Sequence, residues 1–404
     1  MLFKIAWRNI WRNKTRSIVV IAAVAAGLFA GMFMMAFFGG VVKQEVATAV
    51  HTQLAHIQIH HPLFPEDKDL GYAIPNGMQL LQQLQTNPGF KGVSGRVITT
   101  GMISSASDAA GVEIQGIDPE TEQSVSNVFS FIKEGAYFTA DKKNQIVVGQ
   151  KLADKLRLIL HGKVVLTVLD RDGNLTAGSF RIAGIYRSNY STFDASTVYI
   201  KREESAVLLH TGNQIHEIAI LLKDGNLSDF TARQLAKQYP GLLVQSWKAL
   251  SPEMAMMNSM FDQIMYIIIG IILLALMFGI INTMLMAVLE RQREFGVMMA
   301  IGMNKVRIFL MIVLETVLLT CAGIPLGILF TIGTVEYFHK SGIDLSGFSK
   351  GLSQYGIGNL IYPELQTNMF LPIIAMTAIT AVLASLYPAN IALKYKPATA
   401  IHKM

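Results

Sequence analysis

The chain carries an uninterrupted apolar stretch that is followed directly by a charged one. From Ile264 to Leu289 it reads IMYIIIGIILLALMFGIINTMLMAVL, and from Glu290 to Gly302 it continues ERQREFGVMMAIG. The first part is long enough to cross a hydrocarbon core of about 30 Å as a helix that rises about 1.5 Å per residue. The second part is too polar to enter the bilayer. This junction predicts a membrane helix that ends in a short polar connection at one face of the membrane.

Three further apolar runs lie outward from this stretch. Ile18–Gly40 and Met369–Leu393 carry no charge, and Ile308–Val335 carries only Glu315. Each run is long enough to span a bilayer. One run therefore precedes the large polar region between residues 43 and 260, and three runs follow it. We predict a membrane protein with four transmembrane α-helices in a 1+3 arrangement and a large α+β domain on helical stalks.

The distribution of charge predicts the orientation of the chain in the membrane. Residues 1–17 hold five basic side chains and no acidic one, whereas residues 43–260 hold 20 basic and 21 acidic side chains. The positive-inside rule places both termini and the segment 290–307 in the cytoplasm and the large domain on the opposite side of the membrane. The net charge of +6 therefore reflects topology and does not indicate nucleic-acid binding.

Helical spacing continues beyond the apolar runs on the side of the large domain. Apolar residues keep this spacing from Val42 to Leu54. Ser251 and Pro252 are typical of a helix start. A helix from Pro252 to Leu289 would be about 57 Å long, nearly twice the thickness of the hydrocarbon core. We therefore predict that the first two membrane helices extend as stalks that carry the large domain.

The large domain has the pattern of a mixed α+β fold. Nine strands and three helices are predicted in it, among them the strand Lys163–Leu169 and the helix Gly77–Gln85. No disulfide is expected, because the chain has one cysteine. The predicted boundaries are 1–17 for an amphipathic interfacial helix, 18–54 for the first membrane helix and its stalk, 55–250 for the α+β domain, 251–289 for the second stalk and membrane helix, 290–307 for a cytoplasmic coupling helix, 308–337 for the third membrane helix, 338–368 for a periplasmic loop, 369–393 for the fourth membrane helix, and 394–404 for a cytoplasmic tail.

Three motifs together resemble one family of permeases. The stretch Glu290–Gly302 resembles the E-R-x-x-E-[IF]-G-x-x-x-A-[IL]-G signature of the MacB/FtsX superfamily, the mechanotransmitting ABC transporters. The stretch Trp7–Arg16 resembles the amphipathic N-terminal helix of that family. The tail Tyr387–Ile401 resembles its closing P-A-x-x-A-x-x-x-x-P-x-x-A-[LI] pattern. The motifs occur in the family's order, and the 1+3 arrangement is the family's as well.

The resemblance implies the partners of the chain and its location in the bacterial inner membrane. It implies a dimer with a second permease, identical or homologous, and a porter-like periplasmic domain with a smaller insertion. It also implies a separate cytoplasmic ABC ATPase dimer that binds ATP and Mg²⁺. The chain has no G-x-x-x-x-G-K-[ST] motif, so it is expected to bind no cofactor and not to be an enzyme. A fused ATPase is not expected, because Met1 leads directly into the interfacial helix.

The coupling segment supplies the main candidate site. By resemblance, the residues expected to contact or couple to the ATPase are Glu290, Arg291, Arg293, Glu294, Phe295, Gly296, Met299, Ala300 and Gly302. The family commonly has Arg or Lys at the position of Met299. A cationic contact with the ATPase is therefore either missing here or supplied by Arg291 or Arg293.

A second candidate site consists of apolar residues near the outer ends of the first two spans. They are Met32, Met35, Met257, Met260 and Ile264. Thioether side chains make adaptable walls that accept varied apolar ligands such as acyl chains. These residues are candidate cargo contacts, and packing within the core of a dimer is the alternative.

Two polar features have alternative interpretations. Glu315 lies inside the third span, where it serves either a functional pairing role or a plain interhelical hydrogen bond. His51, His56, His60 and His61 form a histidine cluster, but no neighbouring carboxylate or cysteine completes a metal site. We predict no metal there and expect a polar strand close to the membrane.

The layout of the chain is more similar to the lipoprotein-releasing permeases than to the fused efflux permeases. The leading functional hypothesis is therefore extraction of lipoprotein or lipidic cargo from the outer leaflet of the inner membrane. A periplasmic carrier or adaptor and membrane lipids are the further partners expected. The alternatives are a MacB-like efflux permease for drugs or peptides and an FtsX-like regulator of cell-wall hydrolases.

Overall fold

The computed structural model describes residues 2–106, 108–139, 142–188, 190–348, 351, 360–365 and 367–394. The chain folds into two compact units. The membrane bundle comprises residues 1–42, 258–344 and 360–404. The large domain comprises residues 43–257 and 345–359. The predicted tail 394–404, apart from its first residue, and most of the loop between the third and fourth spans lie outside the described residues.

Helices and strands are numbered here in chain order. The helices are α1 (Leu2–Arg12), α2 (Lys14–Ala49), α3 (Phe64–Asp67), α4 (Gly77–Gln85), α5 (Pro119–Glu122), α6 (Gln150–Leu156), α7 (Ser191–Ser196), α8 (Arg202–Leu209), α9 (Ser228–Gln238), α10 (Trp247–Leu250), α11 (Pro252–Glu290), α12 (Gln292–Ala300), α13 (Lys305–Ser341) and α14 (Thr367–Leu393). The strands are β1 (Ile57–His60), β2 (Phe90–Ser104), β3 (Ala109–Ile117), β4 (Ile132–Gly135), β5 (Gln145–Gly149), β6 (Lys163–Leu169), β7 (Leu175–Tyr186), β8 (Thr197–Lys201), β9 (Glu217–Leu222), β10 (Leu243–Ser246), β11 (Ile343–Asp344) and β12 (Leu360–Ile361).

Within the described residues, four helices are long and apolar enough to cross a membrane, as predicted. They cover Lys14–Leu54, Gln263–Glu290, Lys305–Ser341 and Phe370–Leu393. The helical extensions of the first two are confirmed as well. Helix α2 ends at Ala49 and passes into a π-helical turn at Val50–Leu54, and α11 begins at Pro252.

Glycine residues bring α2 and α13 into close contact inside the membrane bundle. A Cβ atom on Gly323 would lie 2.8 Å from the Cβ of Val24. A Cβ atom on Gly327 would lie 2.9 Å from the carbonyl oxygen of Ala25. Small residues spaced by four allow membrane helices to approach at the backbone, where packing replaces the hydrophobic driving force that lipid does not supply. This seam is part of one apolar core that also includes residues of α1, α11, α12 and α14.

The long strand β2 changes partners halfway along its length. Residues Phe90–Arg96 pair with β9, and residues from Val97 onward pair with β3. The first half of β2 completes a four-stranded half-sheet in the order β10–β1–β9–β2. Apolar residues of α4 and α9, including Leu81 and Leu235, pack against this half-sheet.

The second half of β2 belongs to a closed circuit of six strands. Its order is β2–β3–β8–β5–β7–β6, and β6 pairs with β2 again. Alternate side chains of these strands, among them Ile103, Leu166 and Ile182, fill one buried core. The segments near 120–142 and 188–196, which have no clear sequence pattern, form short elements that include α5, β4 and α7. Residues of these segments pack around Tyr186 and Tyr199 at one side of the circuit.

Candidate functional site

Arg291 lies at the bend between α11 and α12. Within the described part of the chain, its contacts are with Glu294, Glu315 and Phe295. Its Nε lies 3.0 Å from Glu294 Oε2, and its Nη1 lies 3.1 Å from Glu315 Oε2. The guanidinium also sits over the ring of Phe295, 5.3 Å from the ring centroid, where a cation is attracted to the π face. The residue is almost completely buried. Arg291 therefore holds the bend together and is not available as a surface cation.

The two glutamates of the same motif pair with the N-terminal region. Arg12, the last residue of α1, forms an ion pair with Glu294. Arg16, in the first turn of α2, forms an ion pair with Glu290. The turn between α1 and α2 is closed by the Ser17 hydroxyl, which donates a hydrogen bond to a carbonyl of α1 at 2.6 Å. Together, Glu290, Arg291 and Glu294 thus tie the junction of α11 and α12 to α1, α2 and α13.

Glu315 serves as an interhelical ion-pair partner. A carboxylate inside a membrane helix is costly unless it faces a protein partner and is hydrogen-bonded. Here the partner is Arg291, and both side chains are nearly buried. Of the two roles expected from the sequence, the contacts favour pairing over a plain hydrogen bond.

Helix α12 has one buried and one exposed face. Phe295 and Gly296 are buried, and Met299 packs against the core of the membrane bundle. Gly296 lies in the middle of α12, which covers Gln292–Ala300. Gly302 follows its end with φ +97°, a conformation that glycine adopts without strain. Met299 therefore contacts the core of the bundle and does not stand on the exposed face.

The exposed face of α12 consists of residues at helical spacing. Arg293, Val297, Ala300 and Ile301 are exposed, and 81% of the surface of Ile301 is accessible. Val297 and Ile301 are absent from the residues that the motif predicts. Steps of four residues from Arg293 would have found both. The roles of the predicted residues in ATPase coupling stay predictions, but their positions differ. Glu290, Arg293, Ala300 and Gly302 are exposed, and Glu294 is partly exposed. The remaining four, Arg291, Phe295, Gly296 and Met299, face the protein.

The candidate cargo residues fall into two groups. Met32 is buried in the core of the membrane bundle of one chain, and Met35 packs against this core. Packing of these residues within a dimer stays a prediction. Met260 and Ile264 are exposed on α11. The side chain of Met257 lies outside the described residues. Contact with cargo stays a prediction for Met260 and Ile264.

Three of the four histidines of the cluster have separate partners, and the rings of His51 and His56 meet edge to face with 6.1 Å between their centroids. His60 contacts Glu217 at 3.0 Å, and His61 stacks on Tyr72. His56 Nδ1 accepts a hydrogen bond from a backbone N–H of β9, and burial lowers the pKa of His56 to about 4. Each of these imidazoles has its own local partner, which is typical of structural histidines.

Among the described residues, one group has ligand atoms within 4.8 Å of one another, namely Asp170, Asp172 and His210. Asp170 accepts hydrogen bonds from the backbone N–H groups of Asp172 and Asn174 and from His210. These bonds stabilise the turn between β6 and β7, which accounts for the cluster without a metal.

Two family models and several known proteins match most of the chain. The MacB-like periplasmic core domain matches residues 17–238, and the FtsX-like permease C-terminal region matches residues 266–397. The lipoprotein-releasing system transmembrane protein LolE of Haemophilus influenzae is 25% identical over 340 residues, which are 80% of each chain. LolC of Neisseria meningitidis serogroup B is 21% identical over 338 residues, again 80% of each chain. The macrolide export ATP-binding/permease protein MacB of Brucella melitensis is 25% identical over 211 residues, which are 47% of this chain and 32% of that protein.

Proposed function

The chain belongs to the FtsX-like permeases that carry a MacB-like periplasmic core domain, and from this premise we propose that it is the permease subunit of an ABC transporter. It works with a separate cytoplasmic ATPase dimer and a second permease in the bacterial inner membrane. Both termini are cytoplasmic and the large domain is periplasmic. Its cargo is a lipoprotein or another lipidic molecule in the outer leaflet.

The observation that carries this proposal is the division of α12 into two faces. The exposed apolar residues Val297 and Ile301, with Arg293 beside them, form a surface that fits a groove on a partner. An amphipathic helix commonly docks in this way. The opposite face is fixed by the core and by ion pairs. A push on the exposed face is therefore passed on to the helices behind it instead of bending α12 alone.

The ion pairs define the route of the push. Arg291 links α12 to α13, Glu290 links the end of α11 to α2, and Glu294 links α12 to α1. Helix α11 continues without interruption to Pro252, and α2 continues to Ala49. Closure of the ATPase would thus move both helices that lead to the large domain, a rigid-body transmission.

The choice of cargo rests on the relatives and on α11. LolE and LolC, whose names describe lipoprotein release, match 80% of the chain. The exposed side of α11 is apolar along its length, from Met260 and Ile264 to Ile271 and Phe278, which suits acyl chains. The MacB-like domain also favours a second candidate function, the efflux of drugs or peptides.

The docking face can be tested by a charge substitution. Ile301→Glu should abolish co-purification of the ATPase, because a carboxylate that is buried in an apolar groove loses its hydration without gaining a partner. Ile159→Glu, at an apolar residue of the large domain that is also highly exposed, is the matched control and should leave binding unchanged. Retained ATPase binding by Ile301→Glu would show that α12 is not the docking helix.

The cargo is tested separately in proteoliposomes that contain the chain, its second permease and the ATPase. ATP should release a fluorescent triacylated peptide from the membrane but should not move a macrolide. The opposite result would assign the chain to the efflux permeases.

A further inference from the structure

The outer end of α2 is bonded to the large domain through its last carbonyl groups. A helix leaves its final carbonyls without partners inside the helix, so other groups must satisfy them. In the π-helical turn that ends α2, three successive carbonyls accept hydrogen bonds from residues that are distant in sequence. They are His51 O from Asn127 N at 2.7 Å, Thr52 O from Ser126 Oγ at 3.5 Å, and Gln53 O from Arg96 Nη1 at 3.0 Å.

Arg96 is the charged member of these donors and is 1% exposed. Its Nη2 and Nε bind the two oxygens of Glu122 at 2.6 and 3.1 Å, and its Nη1 also binds Glu217 at 2.7 Å. The second oxygen of Glu217 contacts His60 at 3.0 Å. The two carboxylates raise the pKa of Arg96, and the guanidinium lowers the pKa of Glu217. Only a planar guanidinium has enough donors in this fork geometry to serve all three acceptors.

Arg96 lies at the point in β2 where the strand changes its pairing partner from β9 to β3. Arg96 itself is in register with Glu217 of the half-sheet, and the next residue, Val97, is in register with Gly116 of the six-stranded circuit. Glu122 ends α5, the short helix that follows the circuit strand β3. One side chain therefore binds the half-sheet, the circuit and the end of α2.

The chain leaves the π-helical turn through a strained residue. Ala55 has φ 53° and ψ −174°, a region that is essentially confined to glycine, and it is buried. Such a conformation persists only where the surroundings hold it. The bonds to the three carbonyls lie directly before Ala55, so they fix the path of the chain at this point.

We propose that Arg96 is a positioning residue that joins the outer end of α2 to both parts of the large domain, so that the three move as one body. The joint follows from the contacts alone. Its use in transport rests on the proposed function.

The joint is tested by distances between two spin labels in the full chain in nanodiscs. The labels are placed at Ala47 on α2 and at Leu175 on β7, both exposed, in a Cys321→Ser background. Arg96→Lys keeps the charge but loses the fork, so the distance distribution should become about twice as wide. Arg181→Lys, at an exposed arginine on β7, is the control and should leave the narrow distribution of the parent. An unchanged width in Arg96→Lys would overturn the proposal.

A second variant guards against misfolding of Arg96→Lys. Arg96→Met combined with Glu122→Gln and Glu217→Gln removes all charge and keeps the volume, a replacement that folded proteins often tolerate. This variant should also broaden the distribution, and a narrow distribution in it would contradict the joint.

Transport separates this inference from the proposed function. With the ATPase bound, Arg96→Lys should release about ten-fold less cargo per ATP hydrolysed, while ATP hydrolysis itself continues. If the parent releases no cargo, the proposed function fails, but the distance measurement still decides the joint. If the parent and Arg96→Lys release cargo equally, the joint has no role in transport.

Discussion

Two charge networks among the described residues are both built mainly from arginine and glutamate but differ in their exposure to water. In the membrane bundle, Arg12 and Glu294 are 54% and 40% exposed, whereas in the large domain Arg96 and Glu122 are each 1% exposed. Exposed ion pairs contribute about 0.2–1 kcal/mol and are screened by salt. Breaking a buried pair costs about 3–5 kcal/mol. The exposed pair of Arg12 and Glu294 can therefore rearrange during a transport cycle, whereas the nearly buried pair of Arg291 and Glu315 and the network at Arg96 stay intact.

The largest effect is expected at Arg96. Arg96→Leu leaves Glu122 and Glu217 buried without a cation, so the free energy of unfolding should fall by about 3–5 kcal/mol. Arg181→Leu on the surface of β7 is the control, with a change within about 0.5 kcal/mol. Thermal unfolding of the purified chain in detergent measures both. Equal melting temperatures for the two variants would show that the buried network at Arg96 contributes no more stability than an exposed arginine.

A smaller loss is expected at Arg291, the member of the α12 network that is nearly buried. Arg291→Met leaves Glu315 without its cation and should cost about 1–3 kcal/mol. Adding Glu315→Gln should recover most of this loss, because the buried charge is then gone. A double-mutant cycle on thermal unfolding measures the coupling between the two residues. Additive effects would mean that the pair does not hold the bend.

Asp194 sharpens the comparison because it is a buried carboxylate whose hydrogen-bond partner is Ser188 and not a cation. Burial raises its pKa from 3.8 to about 6. An acid with a raised folded-state pKa contributes stability below its unfolded pKa and loses it as the pH rises through about 6. Between pH 5 and 7 the parent should lose about 1 kcal/mol more stability than Asp194→Asn, as measured by chemical denaturation. Parallel pH profiles would argue against this shift.

The smallest effect on stability is expected for the exposed pair. Arg12→Ala should change the free energy of unfolding by about 0.2–1 kcal/mol, and the difference should vanish in high salt. Thermal unfolding at low and high ionic strength tests this. A loss as large as that of Arg96→Leu, or one that is insensitive to salt, would place the two networks in one class.

Much of the fold follows from sequence patterns. The strand Lys163–Leu169 and the helix Gly77–Gln85 have the predicted bounds. Each is long enough to repeat its apolar residues several times, at every second residue in the strand and at helical spacing in the helix. The helix α11 was also predicted to within one residue, since its start has capping residues and its end has charges. Elements such as α7, with six residues, are too short to show a period and were not predicted.

The candidate site was only partly predictable. The motif identified α12, but the partner of each charge depends on the tertiary structure. Arg12 and Glu294 are 282 positions apart, and Arg96 and Glu217 are 121 positions apart, so no local pattern relates them. The motif therefore overestimates the number of residues available to a partner. The exposed Val297 and Ile301, in contrast, follow from helical spacing alone.

The closed circuit of strands limits the exposed strand edges of the large domain. Because β6 pairs with both β2 and β7, each of the six strands of the circuit has a neighbour on both sides over part of its length. The strands that end the described sheet path, β4 and β10, have four residues each. Short edges give an extended foreign polypeptide little to pair with. The domain is thereby protected from edge-to-edge aggregation with unfolded polypeptides.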